Sequence, residues 1–171
     1  IIGKIKDIFT LENRENYCFF IAVGDNNARF KIYFRLHELK LNYATIIHPT
    51  AIIARDVTIE PGVVMMARSV VNTFSVIGKQ AIINTCASVD HDSIIEEFAS
   101  MAPVTATGGN VIVGKGSSVC IGAIVLNNIV IGNNTIIGAG SLVTENQPDN
   151  IVAYGTPCKH VRTRKEGDKY L

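Results

Sequence analysis

The sequence lacks the features that would mark a membrane or secreted protein. It has no run of about eighteen apolar residues, which is the minimum for a helix to cross a bilayer, so we expect no membrane span. Nor does a stretch with the pattern of a secretory signal peptide precede the first predicted strand. Tryptophan is absent as well, and only 7% of the residues are aromatic.

An excess of charge of one sign is also missing. The 16 Lys and Arg residues nearly balance the 15 Asp and Glu residues, the net charge is +1, and the basic residues are scattered. This distribution predicts that the protein does not bind nucleic acid. The four cysteines, Cys18, Cys86, Cys120 and Cys158, lie far apart and without the spacing of a disulfide framework or a metal site. We therefore expect reduced thiols, no metal and a cytoplasmic location.

A large aliphatic residue recurs at every sixth position through the middle of the chain. Only one of the seventeen positions of this column, Thr107, is not apolar, and no insertion shifts the register. The column consists of Ile47, Ile53, Ile59, Met65, Val71, Ile77, Ile83, Val89, Ile95, Met101, Thr107, Val113, Val119, Val125, Ile131, Ile137 and Val143. A second column lies two residues earlier, from Ala51 to Ser141, and fifteen of its sixteen members are Ala, Ser, Thr or Val.

A period of six matches neither a helix nor a heptad. Residues two apart in a strand share a face, so the small and the large residue of each repeat point the same way. Short repeats that cannot bury their own apolar residues must stack on one another, as in a solenoid. Three repeats per triangular turn would make a coil of eighteen residues. Glycines that follow the large residue, such as Gly78 and Gly114, are expected to ease the corners.

This pattern resembles the hexapeptide-repeat family, whose fold is the left-handed parallel β-helix. We predict a mainly β protein in which residues 47–157 form this β-helix and residues 158–171 form a C-terminal tail. The first 46 residues predict a strand over Tyr17–Val23, a helix over Ala28–Leu41 with Asn26 or Asn27 as its N-cap, and a strand over Tyr43–Ile47. They read as a partial Rossmann-like βαβ unit that caps the first coil.

His91 is the candidate catalytic residue. It follows the inward-facing Val89 by two positions, which places it at a corner with its imidazole directed outward, and Asp90 and Asp92 flank it. A neutral imidazole can take a proton from an amine or a hydroxyl, and a neighbouring carboxylate fixes its tautomer and raises its basicity. A solvated corner histidine between two turn-forming aspartates is the alternative that the residues leave open.

Five segments occur in the same order in one subfamily. They are FIAVGDN at 20–26, ATIIHPTA at 44–51, INTCASVDHD at 83–92, GNVIVG at 109–114 and YGTPCK at 154–159. Over nearly its whole length the chain is similar to the sialic acid O-acetyltransferases and the sugar-nucleotide N-acetyltransferases of the bacillosamine and perosamine pathways. The resemblance implies a homotrimer that binds acetyl-coenzyme A, with no metal, in the cleft between two neighbouring prisms.

The resemblance also implies roles for individual residues. His91 would be the general base and Asp92 the acidic residue that tunes it. Asp90 and Asn84 would lie near the sugar acceptor. Positions matching coenzyme contacts are Ser100, which replaces a histidine of some relatives, Ile121, Ala139 and Lys159.

The same comparison implies that the first part of the nucleotide-binding domain, about fifty residues, is absent from this chain. Residues 21–26 would supply the last part of that pocket, through Ala22, Gly24, Asp25 and Asn26. Because the Gly-rich phosphate loop would lie in the absent part, nucleotide binding rests on these few residues.

Three functions are consistent with these observations. The first is transfer of an acetyl group from acetyl-CoA to the amine of a nucleotide-linked amino sugar, in bacterial glycan biosynthesis. The second is O-acetylation of a sialic acid or another sugar hydroxyl, which one histidine could serve equally well. The third, from another class, is a trimeric structural protein with impaired catalysis.

Overall fold

The computed structural model describes residues 4–165 and residue 168. It contains one α-helix, α1 (Asn26–Leu36), in the described residues, and 3₁₀ helices at Ile5–Thr10, Arg14–Asn16 and His37–Leu39. The strands are β1 Cys18–Phe19, β2 Asn42–Tyr43, β3 Ile46–Ile47, β4 Ile52–Ile53, β5 Thr58–Ile59, β6 Val64–Met65, β7 Val70–Val71, β8 Val76–Ile77, β9 Ile82–Ile83, β10 Ser88–Val89, β11 Ile94–Ile95, β12 Ser100–Met101, β13 Ala106–Thr107, β14 Ile112–Val113, β15 Ser118–Val119, β16 Ile124–Val125, β17 Val130–Ile131, β18 Ile136–Ile137, β19 Leu142–Val143, β20 Ile151–Gly155 and β21 Cys158–Thr163.

Strands β3 to β19 form the predicted left-handed parallel β-helix. Each has two residues, and each strand from β3 to β16 pairs in parallel with the strand three places further along the chain, so Ser88 lies beside Val70 one coil earlier. This pairing makes three sheets. Sheet 1 contains β4, β7, β10, β13, β16 and β19; sheet 2 contains β5, β8, β11, β14 and β17; sheet 3 contains β3, β6, β9, β12, β15, β18, β20 and β21.

The second residue of each two-residue strand points into the bore of the prism. From Met65 to Val143 these residues are buried, most of them completely, and all except Thr107 belong to one continuous hydrophobic cluster. The small residues of the second column are buried beside them, as at Ala81 and Ser93. Both columns therefore occupy the positions that the sixfold spacing predicts, because alternation along a strand fixes which side chains face inward.

The corners of the prism form three edges. The first edge joins sheet 1 to sheet 2 (residues 54–57, 72–75, 90–93, 108–111 and 126–129). The second edge joins sheet 2 to sheet 3 (60–63, 78–81, 96–99, 114–117 and 132–135). The third edge joins sheet 3 to sheet 1 (48–51, 66–69, 84–87, 102–105, 120–123 and 138–141).

The corner glycines have a different role from the one that the sequence suggests. The left-handed φ angles fall two residues later, at positions such as Gln80 and Gly116. Gly78 is required instead by close approach, because a Cβ atom there would lie 2.6 Å from the main-chain nitrogen of Glu97 in the next coil. The glycine therefore permits coil stacking rather than an unusual turn.

The N-terminal unit contains the predicted parallel β-α-β arrangement, with shorter elements. Strand β1 pairs in parallel with β2, and α1 connects them. The strand predicted over 17–23 is reduced to β1, and the predicted helix ends as a 3₁₀ turn at His37–Leu39. The N-cap is Asp25 rather than Asn26 or Asn27, and its Oδ1 atom accepts a hydrogen bond from the Ala28 N–H at 2.7 Å.

This unit packs against the side of the prism and does not cap its end, contrary to the prediction. The buried guanidinium of Arg29 donates to the carbonyl oxygens of Gln80 and Phe98 at 2.8 and 3.0 Å, on the second edge. Ile47 and Ile53 of the first coil remain 42% and 37% exposed. The polar groups of α1 find partners along the second edge, and this decides where the unit lies.

The segment predicted as a C-terminal tail begins with strand β21, which pairs antiparallel with β20. Residues 166, 167 and 169–171 of that segment lie outside the described part. Within the described residues, no helix combines the length and the apolar character that crossing a bilayer requires.

Candidate active site

His91 lies on the first edge, in the corner between β10 and β11. The inward direction of Val89 and the two-residue step to His91 place the imidazole on the outside of the prism, as predicted. Its side chain is 55% exposed. The ring is therefore accessible to a substrate from one side while the corner holds its main chain.

The carboxylate of Asp92 lies against the ring. Its Oδ2 atom is 2.7 Å from Nδ1 of His91. The hydrogen bond to Asp92, together with the nearby charge of Asp90, raises the pKa of His91 above its usual value. With Nδ1–H donating to the carboxylate, Nε2 carries the lone pair that can accept a proton. The pair can thus act as a general base.

The hydrogen bonds of Asp90 stabilise the main chain of this corner. Its Oδ1 atom accepts hydrogen bonds from Nδ2 of Asn72 at 2.8 Å and from the His91 N–H at 2.9 Å, and these bonds lower its pKa. The Ser75 hydroxyl donates to the carbonyl oxygen of Asp90 at 2.9 Å. The observed contacts of Asp90 thus fix the main chain before His91, and a contact with the acceptor stays a prediction.

Sequence reasoning missed three residues at this corner: Asn72, Thr107 and Gly109. Thr107 had one available signal, as the single polar member of the inward column. Asn72 and Gly109 each lie eighteen residues from a partner, Asp90 and His91 respectively. The predicted coil of eighteen residues places both beside this corner, but the sequence analysis did not use that separation.

Several predicted ligand-binding residues lie on the third edge, away from His91. Asn84 follows β9, Ile121 follows β15 and Ala139 follows β18. Ile121 is 50% exposed and Ala139 is also exposed. Lys159, on β21, has its Nζ atom 3.8 Å from a carboxylate oxygen of Glu145. Within one chain, the structure does not bring these residues to the histidine.

The residues predicted for the nucleotide pocket, together with the predicted coenzyme position Ser100, divide into two groups. Ala22 and Gly24 are exposed, and Asp25 caps α1. Asn26 and Ser100 are instead buried under the helix, where the Ser100 hydroxyl donates to Oδ1 of Asn26 at 2.5 Å. Within one chain both side chains hold the N-terminal unit on the prism, and their contacts with substrate and coenzyme stay predictions.

Asn26 is fully engaged in this network. Its Nδ2 atom donates to the carbonyl oxygen of Ser117 at 3.0 Å and to Oγ of Ser118 at 2.8 Å. Its Oδ1 atom also accepts from Arg29 at 2.9 Å. A cavity of about 240 Å³ lies beside the helix, on the second edge, and Glu97, Lys115 and Arg164 line part of it. The cavity is thus distinct from the His91 corner.

Among the described residues, no group of three His, Cys, Asp or Glu side chains could hold a metal ion. All four cysteines are free; Cys18 and Cys86 are exposed, and Cys120 and Cys158 are buried. Burial raises the pKa of the Cys120 thiol to about 11, which keeps it protonated. The chemistry that the site offers is therefore that of the His91–Asp92 pair.

The fold and the site together define a β-helix protein of hexapeptide repeats with a histidine–carboxylate pair on one edge. Among solved structures, a histidine-to-asparagine variant of perosamine N-acetyltransferase from Caulobacter crescentus, in complex with CoA and GDP-perosamine, is 34% identical with a TM-score of 0.90. The match covers 94% of this chain and 77% of that chain. The acetyltransferase domain of PglB from Neisseria gonorrhoeae, in complex with acetyl coenzyme A, is 30% identical with a TM-score of 0.90, over 94% and 78% of the two chains.

Among curated proteins, the galactoside O-acetyltransferase of Lactococcus lactis is 55% identical over 47 residues. That match covers 28% of this chain and only 23% of the relative's own length. No family model matches the chain. On the strength of the structural relatives, the chain belongs to the hexapeptide-repeat acetyltransferases.

Proposed function

We propose that the protein transfers an acetyl group from acetyl-CoA to the amine of a nucleotide-linked amino sugar, with His91 as general base. The observation that carries this proposal is the 2.7 Å contact between Nδ1 of His91 and Oδ2 of Asp92 on an exposed edge. Such a contact orients the ring, leaves Nε2 as the accepting nitrogen and raises its basicity.

The reaction requires a single direct attack. The amine nitrogen forms a bond to the thioester carbonyl carbon while Nε2 of His91 takes a proton from that nitrogen. The carbon–sulfur bond then breaks, the coenzyme leaves as its thiolate, and the proton on the imidazolium can pass to that sulfur. An N-acetyl sugar and coenzyme A are the products, and His91 returns to its neutral form. The carboxylate of Asp92 stabilises the imidazolium between the two steps.

The proposed site lies between two copies of the chain in a homotrimer. The third edge presents Ile121 and Ala139 on an exposed surface, and a Cβ atom added at Gly122 or Gly140 would have no neighbouring atom within 4 Å. We expect acetyl-CoA to lie along this edge and to meet the first edge, with His91, of a neighbouring copy. This arrangement brings together the predicted residues that one chain keeps apart.

Exposed apolar side chains beside His91 support the assembly. Phe74 and Leu126 on the first edge are 62% and 43% exposed, and Ile94 and Val130 on sheet 2 are 36% and 41% exposed. A band of this kind on a small protein is typical of an interface. Sheet 3, by contrast, is already covered in part by α1.

Similarity over most of the chain supports the proposed acceptor. Structural relatives at 30–35% identity over 94% of the chain include the perosamine N-acetyltransferase bound to GDP-perosamine. GDP-perosamine is a nucleotide-linked sugar that carries an amine. The second candidate is transfer to a sugar hydroxyl. The local match of 55% to a galactoside O-acetyltransferase favours it, and His91 could accept either proton. The four free thiols are consistent with a reaction in the reducing cytoplasm.

The test combines a substrate screen with one variant. Release of coenzyme A thiol is measured with UDP-, GDP- and CMP-linked amino sugars and with free sugars. We expect turnover with an amino-sugar nucleotide, and we expect His91→Ala to reduce kcat by roughly 10²-fold or more. His37→Ala, which removes an exposed histidine beside α1, is the matched control and should keep the parent rate.

Each outcome separates the candidates. Turnover only with free sugars assigns O-acetylation, and no turnover with any acceptor supports the structural alternative. A His91→Ala variant as active as the parent would falsify the assignment of His91 as the base.

A further inference from the structure

The coil that follows His91 departs from the repeat at two positions that lie against its corner. Thr107 interrupts an otherwise apolar inward column. Gly109 is buried, although it stands at the outside of a corner. Neither residue is needed to build a coil, because valine occupies the Thr107 position elsewhere and many residue types occupy the Gly109 position. Their contacts therefore indicate another role.

The side-chain hydroxyl of Thr107 takes the place of one main-chain acceptor in the hydrogen-bond ladder between β10 and β13. In neighbouring coils the residue after the inward side chain donates its N–H to a main-chain carbonyl oxygen, as Asn84 does to Met101 at 2.9 Å. The equivalent N–H of Asp90 donates to the hydroxyl oxygen of Thr107 at 3.0 Å. Strands β10 and β13 accordingly pair only at Ser88, whereas β10 and β7 pair at both residues. The hydroxyl thus anchors the residue that precedes His91.

Gly109 lies under the face of the imidazole. A Cβ atom at this position would be 2.5 Å from Cε1 and 2.6 Å from Nε2 of His91, which is closer than real Cβ contacts. The φ angle of Gly109 is outside the left-handed region, so the ring alone prevents a side chain there. A Cβ atom added at Gly122, by contrast, would have no neighbouring atom within 4 Å.

We propose that Thr107 and Gly109, here named the His91 seat, are positioning residues that hold the imidazole in its reactive orientation. The proposal rests on the proposed function of His91 as the base. Thr107 fixes the main chain at Asp90, Gly109 lets the ring lie flat against the next coil, and Asp92 holds Nδ1. With these three constraints, Nε2 is directed away from the prism towards the acceptor.

A loss of the seat should affect the rate more than the binding of substrates. Displacing a reacting group by about 1 Å can cost on the order of 10²-fold in rate. The seat touches neither Ile121 nor Ala139, the positions that we assign to the coenzyme. We therefore expect variants of the seat to lower kcat while the KM for acetyl-CoA stays within about twofold of the parent value.

The first arm of the test uses Thr107→Val, which keeps the volume of the side chain and removes its hydroxyl. We expect kcat to fall by about tenfold, as for the loss of one hydrogen bond that orients a catalytic group. The melting temperature should fall modestly, because the part-buried N–H of Asp90 loses its acceptor. We also expect the acid limb of the pH–rate profile to shift, since the contact of His91 with Asp92 loosens.

Thr135→Val is the matched control. Thr135 is also a fully buried threonine of the prism, and its hydroxyl donates to the carbonyl oxygen of Pro148 at 2.7 Å, on the second edge. This substitution should lower the melting temperature because the carbonyl oxygen of Pro148 loses its donor and the buried N–H of Ile151 loses its acceptor, while kcat of the folded protein remains that of the parent.

The second arm is a double-mutant cycle on stability, which needs no activity. Gly109→Ala should lower the melting temperature of the parent, because the new methyl group displaces the His91 ring. In the His91→Ala background the space is empty, so the same substitution should have little effect. Equal effects in the two backgrounds would show that the ring does not lie on Gly109.

The two proposals can fail separately. If His91→Ala is as active as the parent, His91 is not the base, and the positioning role of the His91 seat fails with that assignment. If His91→Ala is inactive but Thr107→Val keeps the parent kcat and the parent pH–rate profile, the base is right and the seat is overturned.

Discussion

Oδ2 of Asp92 and Nδ1 of His91 lie 2.7 Å apart, and 55% of each side chain is exposed to solvent. The pair is therefore held together by direct contact rather than by burial. Its hydrogen bond is the largest cause of the raised pKa of His91, and the nearby charge of Asp90 adds to it, so the proton affinity of the ring depends chiefly on Asp92.

This dependence predicts the pH profile of the reaction. A general base must be neutral, so kcat/KM should fall as the pH is lowered through the raised pKa of His91. Asp92→Asn removes the charge that stabilises the imidazolium, which lowers the pKa of His91. We expect the acid limb to move to lower pH and kcat to fall about 10- to 100-fold, the usual cost of losing a partner that orients a histidine.

The measurement is kcat/KM for thiol release between pH 5 and pH 9, with the histidine followed by NMR titration. Asp149→Asn, at a corner near the end of the prism, serves as the control for the loss of one acidic charge. An acid limb at the same pH in Asp92→Asn and in the parent would show that Asp92 does not tune His91.

The assembly can be tested at the apolar band beside His91. Leu126 is 43% exposed on the first edge, one coil after Gly108. If two copies meet there, Leu126→Glu buries a charge in the interface, and we expect the homotrimer to dissociate because an unpaired buried charge is strongly unfavourable. Sedimentation velocity gives the mass directly.

Phe34→Glu is the control for this variant. Phe34 is 49% exposed on α1, and its ring lies 6.3 Å from that of Phe98 on the second edge, away from the first edge. The Phe34→Glu variant should sediment as the parent protein does. Should the parent itself sediment as a monomer at micromolar concentration, the proposed site between two copies fails.

The contacts of Arg29 predict that docking of the N-terminal unit depends strongly on this side chain. Its guanidinium is 1% exposed and donates to the carbonyl oxygens of Gln80, Val23 and Phe98. Arg29→Met keeps much of the aliphatic length and leaves these buried oxygens without their donor. We expect the free energy of unfolding to fall by about 3 kcal/mol.

Urea unfolding at a fixed protomer concentration measures this loss, since assembly also contributes to stability. Arg35→Met, an exposed arginine on the same helix, should change the free energy by less than about 0.5 kcal/mol. Equal midpoints for the two variants would contradict a docking role for Arg29.

The inward column predicts a contrast between adjacent residues. Ile95 points into the bore and is completely buried, whereas its neighbour Ile94 points outward and is 36% exposed. Ile95→Ala should lower the free energy of unfolding by about 3 kcal/mol, since it removes apolar contacts and leaves a cavity. Ile94→Ala should cost clearly less under the same conditions. Equal losses in urea unfolding would mean that the column does not line the bore.

Much of the fold was predictable because the repeat is local and regular. Once six residues form one side of the coil, the position of every side chain from Met65 to Val143 follows, including the outward direction of His91. The N-terminal unit was harder to predict. The hydrophobic pattern encodes the order of its elements. Its N-cap and its docking position on the prism depend instead on which polar groups form hydrogen bonds.

The candidate site was predictable only where neighbours in sequence are neighbours in space. His91 and Asp92 are adjacent, so their contact could be anticipated. Asn72, Thr107 and Gly109 act on the same corner from the coils before and after it, at separations that sequence reasoning did not use.

The sequence by itself determined the coil, its register and the side of the prism on which the histidine stands, because period and alternation are properties of the chain alone. Only the tertiary structure decided that Asn26 and Ser100 lie buried together, that the hydroxyl of Thr107 takes over a rung of the ladder, and that the imidazole rests on Gly109. These are contacts between residues far apart in sequence, and their geometry exists only after the coils have stacked.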